Sequence, residues 1–238
     1  MRRHLFATVM AVCFSLSFTQ AQEDAPQAPK GKLFQHQVGV QMNDLIRQVF
    51  NFSDVSNPPN NPYLLIYHLN LAKSGWGVRL GVGPEIRAFK NDDGITETDN
   101  DIFRMNARLG FEKAFALSDR WSVGVGLDGV YENELIKTKS TIRSFDSART
   151  DVTSKLITTG GGTMAWLRYN VTPNITIGTE TSFYYRVGTF QQGITVTRKI
   201  VQGFPGGSQE QTTNSEIDTK ERSGTFSLPT VFYIIVRF

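Results

Sequence analysis

The chain has 238 residues, of which 39% are hydrophobic and 20% charged, with a formal net charge of +3. That length supplies one domain or two small ones, and the absence of any basic block interleaved with aromatics excludes nucleic acid as a partner. Beyond residue 21 nothing approaches the ~18 consecutive apolar residues of a transmembrane helix, and the only cysteine, Cys13, lies before that point, so disulfide and thiol chemistry are excluded from the rest.

In chain order, Arg2 and Arg3 precede an apolar run from Leu5 to Phe18 and a small-x-small pattern, Thr19-Gln20-Ala21. Residues 1–21 are therefore predicted to be a cleaved export signal. The run is shorter than the about 20 residues of a spanning helix. Val12 before Cys13 does not fit a lipoprotein signal, which wants a small residue there. Loss of Arg2 and Arg3 lowers the net charge from +3 to +1. Residues 22–32, "QEDAPQAPKGK", are polar with two prolines and read as a flexible periplasmic lead-in. From residue 33 the pattern is period-two alternation, which predicts strands at 33–49, 62–72, 75–90, 101–116, 120–137, 154–170, 174–198 and 223–238.

The links between these strands alternate strictly between long and short. The short ones are "AKSG", "ALSDR" and "NVTPN"; the longest is the segment near 199–222. An up-and-down barrel whose ends share one rim needs this alternation. Membrane barrels place short turns at the periplasmic rim and long loops outside.

Each strand has two unlike faces. In "WGVRLGVGPEIRAF", Trp76, Val78, Leu80, Val82 and Ile86 alternate with Gly77, Arg79, Gly81, Gly83, Glu85 and Arg87. Further on, Phe103, Leu109 and Phe111 oppose Arg104, Arg108 and Glu112. Trp121, Val123, Val125 and Leu127 oppose Asp128 and Glu132, and Ile177 and Phe183 oppose Glu180 and Arg186. Closing the hairpins with a turn at 116–120 sets Phe115 opposite Trp121, Arg108 opposite Asp128 and Arg104 opposite Glu132. A turn at 72–75 sets His68 opposite Arg79, and one at 170–174 sets Tyr169 opposite Ile175 and Trp166 over Gly178. Isolated charges are costly in a dry core, whereas paired ones are tolerated in a wet or hydrogen-bonded interior. The charged face is therefore predicted to line a narrow lumen in which glycines make room for arginines. The expected internal network is Arg79, Arg87, Arg104, Arg108, Arg168, Arg186, Arg237 and His68 with Glu85, Glu112, Asp128, Glu132 and Glu180. The apolar face is expected to meet lipid, with Trp76, Phe115, Trp121, Tyr169 and Phe238 as interfacial aromatics at the short-turn rim. In the last strand Phe226, Leu228, Phe232, Ile234, Val236 and Phe238 share one face, and Pro229 calls for a bulge.

The export signal, eight alternating strands, short turns and terminal phenylalanine resemble the small outer-membrane β-barrels of the OmpA/OmpX type. The style of "NPYLLIYHLN", "GWGVRLGVGPEIR" and "AWLRYNVTPNITIGTETSFYY" is similar to outer-membrane barrel families of the Bacteroidota. The resemblance covers about residues 33–238. It implies an all-β, eight-stranded antiparallel up-and-down transmembrane β-barrel in the outer membrane, with membrane lipid around it. It also implies insertion by the barrel-assembly machinery through the strand ending at Phe238. It implies no activity.

Catalytic signals are weak. His68 points inward, but Ser182 and Ser227 lie on distant strands and nothing brings them within reach of it. There is no Cys/His cluster at metal-ligand spacing, so no metal and no cofactor is expected. "NDDGITETDND" is acidic but lacks the spacing of a calcium loop, and "TTGGGT" lacks the helix that follows a phosphate cradle. Asp146-Ser147-Ala148 matches a three-residue O-glycosylation pattern at Ser147, a match short enough to arise by chance. The expected role is structural or surface-interacting, through long loops on a side-chain-plugged barrel, with no catalysis. A small passive channel for ions or solutes, a lipid-modifying enzyme and a soluble lipocalin-like binder are the alternatives. The last would need an apolar lumen and a polar outside.

Overall fold

The computed structural model describes residues 33–43, 62–143, 147–201 and 208–238. The export signal, the lead-in and residues 44–49 of the first predicted strand lie outside them. The eight strands are β1 (Phe34–Gln41), β2 (Leu65–Leu71), β3 (Trp76–Asp92), β4 (Thr96–Ala116), β5 (Trp121–Ile142), β6 (Ala148–Asn170), β7 (Ile175–Val201) and β8 (Ser208–Arg237). Each pairs antiparallel with its sequence neighbours, and β1 pairs with β8, so the strands form a closed ring. The expected strand number, order and closure are all present.

The short turns bring out local chemistry. Gly75 adopts φ 66°, a left-handed conformation suited to glycine, and its amide donates to Leu71 O at 3.0 Å. The other two turns share one design. At Ser118-Asp119-Arg120 the serine hydroxyl accepts from Trp121 N (3.1 Å), and at Thr172-Pro173-Asn174 the threonine hydroxyl accepts from Ile175 N (3.0 Å). Both turns are two residues tighter than the sequence reading placed them. Phe115 therefore lies opposite Val123 rather than Trp121, and Tyr169 opposite Ile177 rather than Ile175. A slip of two leaves every side chain on its face, so the faces stand while the cross-strand partners change.

The larger correction concerns the long links, which are mostly strand. β4 starts at Thr96, β5 runs to Ile142, β6 starts at Ala148, and β7 and β8 extend to Val201 and from Ser208. Segments such as "TKSTI" and "TTNSEIDTKERS" are rich in β-branched threonine and polar on both faces, as a sheet with water on both sides requires. They carry no hydrophobic alternation, so the period-two pattern does not mark them as strand. β3–β8 thus rise beyond β1 and β2 as tall arms. β8 carries the expected irregularity: Glu180 pairs with Val231 and Ser182 with Ser227, leaving Leu228, Pro229 and Thr230 against Thr181. The Thr181 and Thr179 hydroxyls donate to Ser227 O (2.6 Å) and Pro229 O (2.9 Å), holding the bulge in place.

Candidate functional site

The most heavily constrained part of the molecule is the interior of the ring. Three buried arginines, Arg79, Arg108 and Arg168, face three buried carboxylates, Glu112, Asp128 and Glu180. Charge balance is what lets such groups leave water, because an unpaired buried ion is far costlier than a paired one.

The tier nearest the short turns centres on Glu112. His68 Nδ1 lies 2.8 Å from its Oε1, and Trp166 Nε1 donates to its Oε2 at 2.9 Å. Arg168 Nη2 lies 3.0 Å from His68 Nε2, which fits the tautomer with its proton on Nδ1. The Arg168 guanidinium also stacks on Trp166, 3.9 Å from the ring centre, and Nη1 donates to Gln37 Oε1 at 3.1 Å. In the middle tier Glu180 receives Arg108 through a two-pronged pair, with Nη2 to Oε2 at 3.0 Å, and Arg79 Nη2 at 3.1 Å. Arg79 Nε lies 3.3 Å from Asp128 Oδ1, a charge contact without hydrogen-bond alignment. Tyr184 OH donates to Asp128 Oδ2 at 2.6 Å, and Arg108 lies over the Tyr63 ring at 4.2 Å. The upper tier is half-buried. Arg104 bonds Glu85 (2.7 Å) and Glu134, with Glu132 at 3.9 Å, while Arg186 lies 3.6 Å from Glu132.

Most of the expected network therefore converges, but through other pairs. Gly110, not Arg108, lies opposite Asp128, and Asn106, not Arg104, lies opposite Glu132. The lumen is narrow enough for arginines to reach across it, so Arg108 finds Glu180 on β7. His68 does lie opposite Arg79. Two expected members stand apart. Arg87 is 66% exposed, on the part of β3 beyond its pairing with β2, and among the described residues its one ion-pair partner is Glu85 at 2.7 Å. Arg237 bonds the Asn170 side chain at 2.7 Å and has no carboxylate within ion-pair range among the described residues. Trp166 does not cover Gly178. It presses on Gly124, where a Cβ would run into its indole ring. Gly124→Leu should accordingly displace Trp166 from Glu112 and cost about 1–3 kcal/mol as overpacking, seen as a lowered urea midpoint and a changed tryptophan emission. Gly81 makes room for Arg108 in the same way.

Sequence reasoning missed Tyr63, Tyr184, Tyr233, Gln37 and Glu134. Tyr184 and Tyr233 occupy inward positions in the alternation of β7 and β8, so their parity was the available signal. Ile66, Val130, Val231 and Ile235 are also buried, but charged and hydrogen-bonding groups dominate the interior, which contradicts the apolar lumen of a lipocalin-like ring. His68 is bonded to Glu112 and Arg168; neither Ser182 nor Ser227 is among its partners. No group of three or more metal-ligating side chains occurs among the described residues.

The outer face is the reverse of the inner. Trp76, Leu80, Leu109, Phe111, Leu127, Leu167, Ile177, Phe232 and Ile234 are exposed. The five expected aromatics lie on the outer side at the short turns. Trp121 packs on Tyr169 at 4.8 Å, and Lys113 Nζ sits 5.4 Å from the Trp76 ring centre and 5.8 Å from that of Phe115. Phe103, Tyr131, Phe183, Tyr185 and Phe226 form a second outward belt higher up. From Phe103 to Phe115 the strand runs about 40 Å at ~3.3 Å per residue.

At the β3–β4 tip the acidic segment folds onto itself. Gly94 takes φ 88°, and Asp93 Oδ1 accepts from Ile95 N (2.9 Å) and Thr96 N (2.6 Å). The Thr96 and Ile95 amides hold the Asp93 carboxyl below the usual range. Hydrogen bonds from Lys90 and then Arg143 do the same for Glu97. These carboxylates are occupied by groups of the hairpin and by Arg143, just past the end of β5.

No protein-family model matches the chain, and neither curated proteins nor solved structures give a significant match.

Proposed function

We propose that this protein is an exported barrel of the outer membrane, sealed by its own side chains, which anchors a tall strand-built surface outside the cell. The observation that carries the reading is the inversion of the usual arrangement: ion pairs inside, and an apolar wall between two aromatic belts outside. Water gives no reason to keep so many large apolar side chains exposed, whereas lipid does. At the ~40° tilt of such strands the distance between belts projects to about 30 Å, close to the hydrocarbon thickness of a bilayer. The polar arms of β3–β8 lie beyond that band, on the side of the long links. They are the part available to partners. The role is structural and interactive rather than catalytic, and this is supported by the use of His68 within a closed ion-pair network.

The test is conductance. Refolded mature protein in a planar bilayer should give no discrete current steps, because two buried arginine–carboxylate tiers and a half-buried third fill the lumen. Reproducible steps, abolished or enlarged by Arg108→Ala, would replace the sealed barrel with a gated channel.

A further inference from the structure

The outward wall just above the upper aromatic belt carries a pattern that the anchoring role does not explain. A shallow groove there is lined by Lys90 of β3, Asp99 and Asp101 of β4, and Lys137 and Lys139 of β5. The register sets Asp101 directly opposite Lys137 and Asp99 opposite both Lys139 and Lys90. These residues share the outward parity of Phe103 and Leu135, one step further up. The two carboxylates of β4 are thus flanked by two lysines on β5 and by one, Lys90, on β3.

Only one pair of these charges meets within ion-pair range, Lys90 with Asp99. Lys90 is held by Glu97 and lies 4.0 Å from Asp99. Lys137, Lys139 and Asp101 have no ion-pair partner within range among the described residues, although cross-strand neighbours of opposite sign are at hand. A uniformly basic patch would suit a purely anionic group; alternating signs on a strand-to-strand spacing suit a ligand that carries both. Side chains directly opposite each other project from points about 5 Å apart, comparable to the separation of phosphate and ammonium in a headgroup that joins them by two carbons.

We infer that this groove binds the zwitterionic phosphoethanolamine headgroup of a membrane lipid, with phosphate on Lys137 and Lys139 and ammonium on Asp99 and Asp101. The lipid's chains lie against the apolar wall below, on Phe103, Leu135 and Ile86. The inference rests on the membrane reading above, because that reading places the groove at headgroup height. An ammonium that can donate hydrogen bonds is favoured, since the carboxylates accept them.

Native mass spectrometry of the full mature chain, refolded in mixed micelles containing equal phosphatidylethanolamine and phosphatidylglycerol, tests this. The wild type should retain phosphatidylethanolamine about two- to fivefold over phosphatidylglycerol, the range that exposed ion pairs supply. Asp99→Asn with Asp101→Asn should erase or invert the ratio. Lys137→Gln with Lys139→Gln should lower retention of both lipids. The single changes Asp101→Asn and Lys137→Gln stand in if a double variant does not refold. Equal retention by the wild type, or a ratio indifferent to these changes, overturns the headgroup site while leaving the barrel intact. Failure of the wild type to insert into vesicles of either lipid would instead overturn the membrane reading.

Discussion

Glu180→Ala is expected to destabilise the protein by about 3–5 kcal/mol, the cost of breaking a buried ion pair from one side. Glu180 is the only carboxylate within ion-pair range of Arg108 among the described residues, and it shares Arg79 with Asp128. Its loss leaves a guanidinium buried against Tyr63 with its counter-charge gone. Urea unfolding of the variant refolded in vesicles reads this directly. Two comparisons make the result specific. Arg108→Met in the Glu180→Ala background should recover part of the loss, because removing both charges is far cheaper than stranding one. Glu97→Ala, which removes a carboxylate bound to both Lys90 and Arg143 in the open hairpin tip, should change stability by no more than about 1 kcal/mol. Similar losses for Glu180→Ala and Glu97→Ala would mean that the interior is wet enough to solvate Arg108, and the sealed lumen would fall with that result.

The contrast between these two glutamates also marks what the sequence makes legible. Face assignment follows from parity, and parity survives errors in turn length. Glu180 and Arg108 were expected inside and are inside, although every cross-strand partner assigned through the 116–120 turn was wrong by two. Which arginine meets which carboxylate depends on reach across the lumen. That is set by ring closure and side-chain length, and no local pattern encodes it. The tight turns were legible in principle, since Ser118 and Thr172 each begin a turn that their hydroxyls close. The arms were not legible by the rule applied. Hydrophobic alternation detects a strand with one dry face, and residues 208–222 have none. Threonine content and the match of polar pairs such as Thr197 with Thr212 were the remaining signals. Pro229 shows the opposite case, where one residue's missing amide announces a bulge that the register then displays.

Leu80→Arg is the second large effect and bears on the outside of the ring. Leu80 projects outward from β3 between Tyr67 and Leu109, well below the upper belt. If that face lies in hydrocarbon, an arginine there should cost about 2–4 kcal/mol near the bilayer midplane, falling to about 0–1 near the interfaces. Thr153→Arg, outward on the β6 arm, provides the reference and should cost almost nothing. The sign of the contrast decides between environments. In water an exposed leucine gains nothing by being apolar, and arginine would be neutral or improve solubility. In lipid the same change strands a cation that must pull water or headgroups toward it. Folding yield and urea midpoint in vesicles, measured for both variants, give the two numbers. A Leu80→Arg cost no larger than that of Thr153→Arg would mean that the apolar belt faces something other than lipid. The aromatics at Trp76 and Trp121 would then have to be read as an interface with protein.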